Sequence, residues 1–584
     1  MASRLTVVAL VLALALPLAG CFGSKDKAVT PGECDDTPTL DAAERDCAGP
    51  VCDLKFPSDC GGGSGGIEPF PMPGPAPSTK YPWFPNDGAS EMTTLEIPSF
   101  DDHMIPITIY QPKVASPTQP MPVLLHSHGF TGKRATSEDA FKDLVAAGFG
   151  VVSFDERGHG DAKDDSEVYF MHPDYEVQDV IKVIDHVQAF DWVLREDAAT
   201  AAVPGDPVLG AIGGSYGGAY QLMGAIFDPR LDAIVPEITW NDITEALDPN
   251  GAVKSGWVDL FYIAGNAQQS VVFSNDFHEG WAWAATTNTF PAGQLGVVPD
   301  LYTRLKESSP VSYPGRLVIP TLLIQGMPDT LFPLNQAVAN LRMLEAAGTP
   351  AALYTHLGGH VLNTGSLGIP SPTPIGLQGV PGGKPCGTLT DLQIAWHQTY
   401  LLGLGNWTGR PRVCLALEDE TTVVGQQFPL ESTVVQSIAL PGPTPVVQAA
   451  AGPRIPLTLL TATEDTVVAG IPVLKGTILA AGADSIVYFS LQRLDPTLGL
   501  EAIIDDQVMP LRIGEPVTNA RQFNLDLGGV ATRLHAGDQL VLMVSTVEPM
   551  FVGNAERLPG ALVLGDLTLE LPTQPAGTPS LPSN

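Results

Sequence analysis

A doubly wound α/β sheet, interrupted by a helical cap and followed by an all-β sandwich, is the architecture this 584-residue sequence predicts. Three observations carry that expectation. Solid apolar runs such as Pro122-Val123-Leu124-Leu125-His126 and Phe149-Gly150-Val151-Val152-Ser153-Phe154 have the composition of central parallel strands, covered on both faces. Helical patterns fall between such runs, so strands and helices alternate. From about Asn406 the chain changes to short alternating strands separated by turn residues, as in Ser485–Leu491 and Gln539–Val544.

Along the chain, each element has its own signal. Arg4 and the apolar run Leu5–Pro17, too short to span a bilayer, read as an export signal over residues 1–20. It ends in Leu18-Ala19-Gly20-Cys21, which resembles a bacterial lipobox, so Cys21 is the expected lipidation site and the membrane anchor of a cell-envelope protein. Residues 21–91 are rich in Gly, Pro and Cys and read as a tether. Thr93–Pro98 and Ile105–Tyr110 alternate like antiparallel strands, opening the first part of the sheet at residues 92–236. Ser137–Gly148 reads as a helix with a serine cap and a terminal glycine. Residues 237–313 hold aromatic helical pieces and read as the cap, with Trp240 and Trp257 as its expected substrate-facing residues. The sheet resumes over 314–405, the sandwich is expected over 406–571, and the Pro/Ser-rich residues 572–584 as a disordered tail.

Charge and cysteine content narrow the function classes. Thirty Lys and Arg against 64 Asp and Glu give a net charge of -34, which argues against a nucleic-acid partner. Beyond Cys21 the cysteines are six, an even number that in an exported chain reads as disulfides. Cys386 and Cys414 are the natural late pair, whereas Cys34, Cys47, Cys52 and Cys60 allow three connectivities. Their spacings fit no usual zinc pattern, and the His126-Ser127-His128 pair lacks a carboxylate-rich partner motif, so no metal and no cofactor is expected.

The chemistry concentrates at Gly213-Gly214-Ser215-Tyr216-Gly217. An apolar strand-like run precedes it and a helical pattern follows, the strand–turn–helix setting in which a G-x-S-x-G serine is exposed at a tight elbow. A serine attacks only when a base takes its proton and a third group orients that base. In this setting the partners follow in the order Ser, acid, His. Asp329 lies on the loop after strand Thr321–Gln325, and Leu357-Gly358-Gly359-His360 follows the next strand. His360 is preferred over His356 because the two glycines give its loop the freedom to reach the serine. The oxyanion needs two preorganised N–H donors. Tyr216 should supply one and Phe130, in the loop after His126, the other, with Thr131 its alternative. Asp155-Glu156-Arg157-Gly158-His159-Gly160 is read as support for the rim of the site.

Taken together, His128-Gly129, Asp155-x-Arg157-Gly158-x-Gly160, Gly213–Gly218, Asp329 and His360 resemble an α/β-hydrolase. With the aromatic cap and the C-terminal β-domain, residues 92–571 resemble the X-Pro dipeptidyl-peptidase (S15) and cocaine-esterase-like hydrolases. The resemblance implies cleavage of acyl esters, amides or X-Pro peptides through a covalent acyl-serine, a small-molecule or peptide substrate, and a jelly-roll-like C-terminal domain. Several members use a tyrosine hydroxyl in the oxyanion hole. Here His126-Ser127-His128-Gly129-Phe130 has none, which favours two backbone amides. A dipeptidyl-peptidase also needs a carboxylate for the substrate ammonium, with Glu237, Asp242 and Asp259 in or near the cap as candidates. The alternative to an enzyme is a non-catalytic surface lipoprotein that binds a ligand on a hydrolase scaffold.

Overall fold

The computed structural model of the protein describes residues 81–581, apart from 82, 83, 85, 268, 361–383, 406, 408, 449–453, 496–499, 552–559 and 576. The export signal, Cys21, the four early cysteines and nearly all of the tether lie outside the described residues. No helix among the described residues is long and apolar enough to cross a membrane.

The first part of the sheet comprises β1 (Ser90–Pro98), β2 (Met104–Pro112), β3 (Val123–His126), α1 (Lys142–Ala146), β4 (Gly150–Phe154), α2 (Glu176–Gln188), β5 (Leu209–Gly214), α3 (Tyr216–Phe227) and β6 (Ala233–Glu237). The cap follows as α4 (Ile243–Leu247), α5 (Ser255–Ala267), α6 (Asn275–Thr287) and α7 (Leu301–Glu307). The sheet then resumes with β7 (Thr321–Gly326), α8 (Leu334–Ala346), β8 (Ala351–His356), α9 (Leu389–Tyr400), β9 (Val413–Ala416) and β10 (Thr422–Gly425). Among the described residues these strands form one ten-stranded sheet in the order β1-β2-β4-β3-β5-β6-β7-β8-β9-β10. β1 and β2 are an antiparallel hairpin, β2 pairs antiparallel with β4, and β3 through β9 run parallel.

The solid apolar runs are explained by which way their side chains point. Successive residues in a strand face opposite sides. Val123, Leu125, Val152 and Phe154 enter a core shared with α2, α3, α8 and the cap, while Leu124, Val151, Ile324 and Trp396 build a second core on the other face. Both faces are therefore covered, and no polar alternation survives.

Three expectations are corrected. The helix expected over Ser137–Gly148 is only Lys142–Ala146, with Phe141 at its start and no side-chain cap. The approach to it is tied down elsewhere: Arg134 N–H donates to Asp155 and Ala135 N–H to Ser153 Oγ, and 138–141 are turns. The boundary at 406 also moves, because β9 pairs with β8 and β10 with β9 in the hydrolase sheet. Cys414, on β9, forms its disulfide with Cys386, ahead of α9. Short alternating strands read alike whether they extend an old sheet or start a new one. Finally, the supposed tail is ordered over much of its length. Strand Gly560–Gln574 carries Thr573 into pairing with Val434 and Val468, and Val424 N–H donates to Pro579 O at 3.0 Å. Proline lacks a donor but keeps its carbonyl, so a Pro-rich segment can still be held as an acceptor.

Beyond β10 the chain forms a β-sandwich. Among the described residues one sheet has seven strands around Gly560–Gln574, and the other has five around Ser485–Asp495. Their inner faces meet in a separate core that includes Val468, Leu474, Val487, Phe489, Leu542 and Leu564. The sandwich is seated on the hydrolase sheet and cap by polar contacts: Asn335 bonds Leu527 O and Gly529 N–H, and Arg512 donates to Gly251 O and Asn288 O.

Candidate active site

Ser215 sits between β5 and α3 with φ 59° and ψ -121°, a conformation that residues with a side chain rarely adopt. Its N–H donates to Glu237 O at 2.9 Å, and its carbonyl accepts Gly218 N–H and Ala219 N–H, so the turn is fixed from both sides. The close approach depends on Gly217, where a Cβ would overlap Ser127 O and lie 3.0 Å from His128 O. Gly217→Ala is expected to push the β3 loop away from the serine. The predicted outcome is at least a tenfold loss of kcat/KM, on the order expected for a misplacement of about 1 Å, with a lowered Tm.

The structure brings Ser215, His360 and Asp329 into one hydrogen-bonded chain. His360 Nε2 lies 2.8 Å from Ser215 Oγ, and His360 Nδ1 lies 2.7 Å from Asp329 Oδ2. Asp329 is fully buried at the end of β7, and its Oδ1 accepts Leu331 N–H at 3.0 Å and Phe332 N–H at 2.8 Å. A carboxylate accepting at Nδ1 fixes the tautomer: the proton sits on Nδ1, and Nε2 offers its lone pair to the serine hydroxyl. The imidazole is flanked edge-on by Phe332 and Trp257, with ring centroids at 5.3 and 6.1 Å. Gly359, with φ 140°, carries the chain over the acid, since a Cβ there would come within 2.9 Å of Asp329 Cβ. His356 is engaged elsewhere. Its Nδ1 accepts Gly358 N–H at 3.0 Å, and Nε2 faces Glu237 at 3.3 Å.

Tyr216 occupies the first position of α3, where the backbone N–H has no intrahelical acceptor. Across from it runs the loop after β3, close enough that a Cβ on Gly129 would lie 3.7 Å from Ser215 Cβ. Phe130 follows Gly129 in a turn closed by Gly132 N–H to Gly129 O, with Thr131 at φ 68°. His128 braces that loop: Nδ1 donates to Gly129 O at 2.9 Å and Nε2 accepts Glu156 N–H at 3.1 Å. Burial lowers the pKa of His128, which keeps the ring neutral and able to accept. His126 spends its Nδ1 on Ser153 Oγ, and burial pulls it down to about 4.

The Asp155–Gly160 turn is a buried support. Asp155 accepts from Arg134 N–H, Arg134 Nη1 and Asp161 N–H, and Arg157 is clamped between Asp179 and Asp101. His159 has no exposed surface and packs against Phe130 and Tyr216, with burial pulling it down to about 3. A histidine held neutral in this way packs as an aromatic ring.

Trp240 and Trp257 also differ from expectation. Trp240 is buried with its indole N–H on Ser308 O at 3.0 Å, and Trp257 is buried with its indole N–H on Thr330 Oγ1 at 3.2 Å. Both therefore frame the triad from inside. The cap instead presents a chamber lined by apolar side chains, among them Phe170, Phe261, Phe273, Phe277, Trp281 and Leu301. The Phe130 ring, on the loop beside Ser215, packs against side chains of that chamber, stacking on Phe170 at 5.4 Å and meeting Phe261 edge-on at 5.2 Å. The three candidate carboxylates are engaged: Glu237 faces His356, Asp242 caps α4 and pairs with Lys306, and Asp259 accepts from the Trp281 indole. Thr330, Lys254 and Gln507, which tie down the loop bearing Asp329, belong to no motif in the sequence. A lone lysine in the apolar stretch Ala252-Val253-Lys254 was the only local signal.

Residues 101–362 match the family described as X-Pro dipeptidyl-peptidase (S15 family). This segment is an S15-type domain. It contains Ser215, Asp329 and His360, and it makes the chain a hydrolase of ester or peptide bonds that takes small-molecule or peptide substrates. The fold around the S15-type domain is shared with three solved structures. A CocE/NonD family hydrolase from Staphylococcus aureus superposes with TM-score 0.59 at 14% identity, over 82% of this chain and 93% of that one. An aminopeptidase from the marine sediment archaeon Thaumarchaeota archaeon gives 0.59 at 16%, over 85% and 99%. An alpha-amino acid ester hydrolase gives 0.58 at 16%, over 85% and 98%. At these identities the likeness is one of fold, and it extends beyond the S15-type domain into the β-sandwich. No curated protein matches the chain.

Proposed function

We propose that this chain is a serine hydrolase that cleaves esters or amides of apolar acyl groups through a covalent acyl-serine. The observation that carries the reading is the continuous hydrogen-bonded chain from Ser215 Oγ through His360 to the buried Asp329. Ser215 Oγ attacks the carbonyl carbon while His360 Nε2 takes its proton. The developing oxyanion is met by the N–H groups of Tyr216 and Phe130. Collapse breaks the bond to the alcohol or amine, which leaves with the proton from His360. Water, activated by the same nitrogen, then attacks the acyl-serine and restores the free hydroxyl.

The cap supports an acyl hydrolase in preference to an X-Pro dipeptidyl-peptidase. Its chamber beside Phe130 is lined by apolar side chains, and among the described residues none of Glu237, Asp242 and Asp259 lines it, so a substrate ammonium entering it meets none of these three carboxylates. The test is steady-state turnover of an aromatic acyl ester against an Ala-Pro anilide, with Ser215→Ala as blank. The ester is expected to show the higher kcat/KM by about tenfold or more, about 1.4 kcal/mol in transition-state binding. Ala284→Phe, which fills the chamber, should raise KM for the aromatic ester and spare an acetyl ester. Faster cleavage of the anilide would reverse the assignment of substrate class.

A further inference from the structure

The loop that bears the acid has unusual support. Carbonyls in a buried loop must find donors, and between Met327 and Phe332 those donors are side chains from three parts of the molecule. Gln325, on β7, donates to Phe332 O at 2.8 Å. Lys254, in the cap, donates from Nζ to Thr330 O at 2.8 Å and Leu331 O at 3.0 Å. Gln507, in the β-sandwich, donates from Nε2 to Asp329 O at 3.0 Å and Met327 O at 3.3 Å.

We propose that Lys254 and Gln507 are positioning residues for the reaction, by which the cap and the β-sandwich jointly hold Asp329 and His360 in register with Ser215. The inference rests on the serine-hydrolase reading above. The loop carries the base as well as the acid: Thr330 N–H and Oγ1 both donate to His360 O, at 2.9 and 3.0 Å. A shift of this loop therefore moves both partners of the serine together.

Neither donor is needed merely to fill space. Lys254 is only 4% exposed, and a buried ammonium is costly unless it is hydrogen-bonded. The charges acting on it are Asp329 and Glu245, and burial pulls it down to about 8 against their attraction. Its hydrogens fix the loop through two of the loop carbonyls. Gln507 is delivered by a strained turn in which Asp505 and Asp506 both have positive φ, 51° and 54°. Gly528 leaves it room, since a Cβ there would lie 2.6 Å from Gln507 Cβ.

The test compares full-length wild type, Lys254→Met, Gln507→Met and the milder Gln507→Asn on a small apolar ester, with Tm measured in parallel. The Met variants are expected to lose kcat by roughly 10- to 100-fold with KM nearly unchanged, as for a misplaced catalytic group. Gln507→Asn, which keeps the amide but shortens its reach, should lose less. A merely structural role predicts a lowered Tm with kcat retained in the folded fraction. Full kcat in the folded variants, or a rise in KM alone, would overturn the inference, and Gln507→Asn decides the matter if the Met variants do not fold. Absence of Ser215-dependent turnover in the wild type would instead overturn the hydrolase reading, and this inference with it.

Discussion

Ser215→Ala is expected to abolish turnover, with kcat falling on the order of 10⁶-fold and the fold intact. The side chain is half-buried, and its Oγ makes a 2.8 Å contact with His360. The contacts that shape the elbow are made by the Ser215 backbone, through its N–H to Glu237 O and its carbonyl to Gly218 and Ala219. Alanine keeps all of these and inherits the same strained backbone, so the change in Tm is expected to be small. Residual catalysis should come from the oxyanion donors and substrate binding alone. The check is kcat on the preferred ester alongside the thermal midpoint.

Asp329→Asn is expected to lower kcat by about 10⁴-fold, and the direction of the effect follows from two backbone donors. Asp329 Oδ1 accepts Leu331 N–H and Phe332 N–H, so the asparagine must turn its carbonyl oxygen to them. That places the amide NH₂ against His360 Nδ1, where the carboxylate oxygen now sits at 2.7 Å. An NH₂ group can only donate, so Nδ1 becomes the acceptor and the ring proton moves to Nε2. The imidazole then presents a hydrogen to Ser215 Oγ and can no longer take one. Combining the two substitutions should cost no more than Ser215→Ala alone, because the residues act as a unit. Retention of full rate by Asp329→Asn would require another orienting group for His360.

Legibility in the sequence depended on how local each signal was. The elbow could be read because strand, turn and helix are contiguous, and each glycine answers a steric demand within that stretch. The acid and base could be read because each follows a recognisable strand, and the structure does bring both to Ser215. The two tryptophans misled, since an indole on a cap helix can face a cleft or a frame, and only Ser308 O and Thr330 Oγ1 settle the direction. β9 and β10 misled because pairing partners are not encoded in strand composition. Lys254 and Gln507 were least legible. Their bonds to the acid loop span 76 and 178 residues of sequence, distances at which no periodicity or motif operates.

Whether Ser215 is an activated nucleophile is decided by labelling folded protein with a fluorophosphonate and mapping the adduct by mass. Stoichiometric modification is expected at Ser215, greatly slowed in Asp329→Asn and absent in Ser215→Ala. No adduct on folded wild-type protein, or an adduct at a different serine, would remove Ser215 from the role of nucleophile.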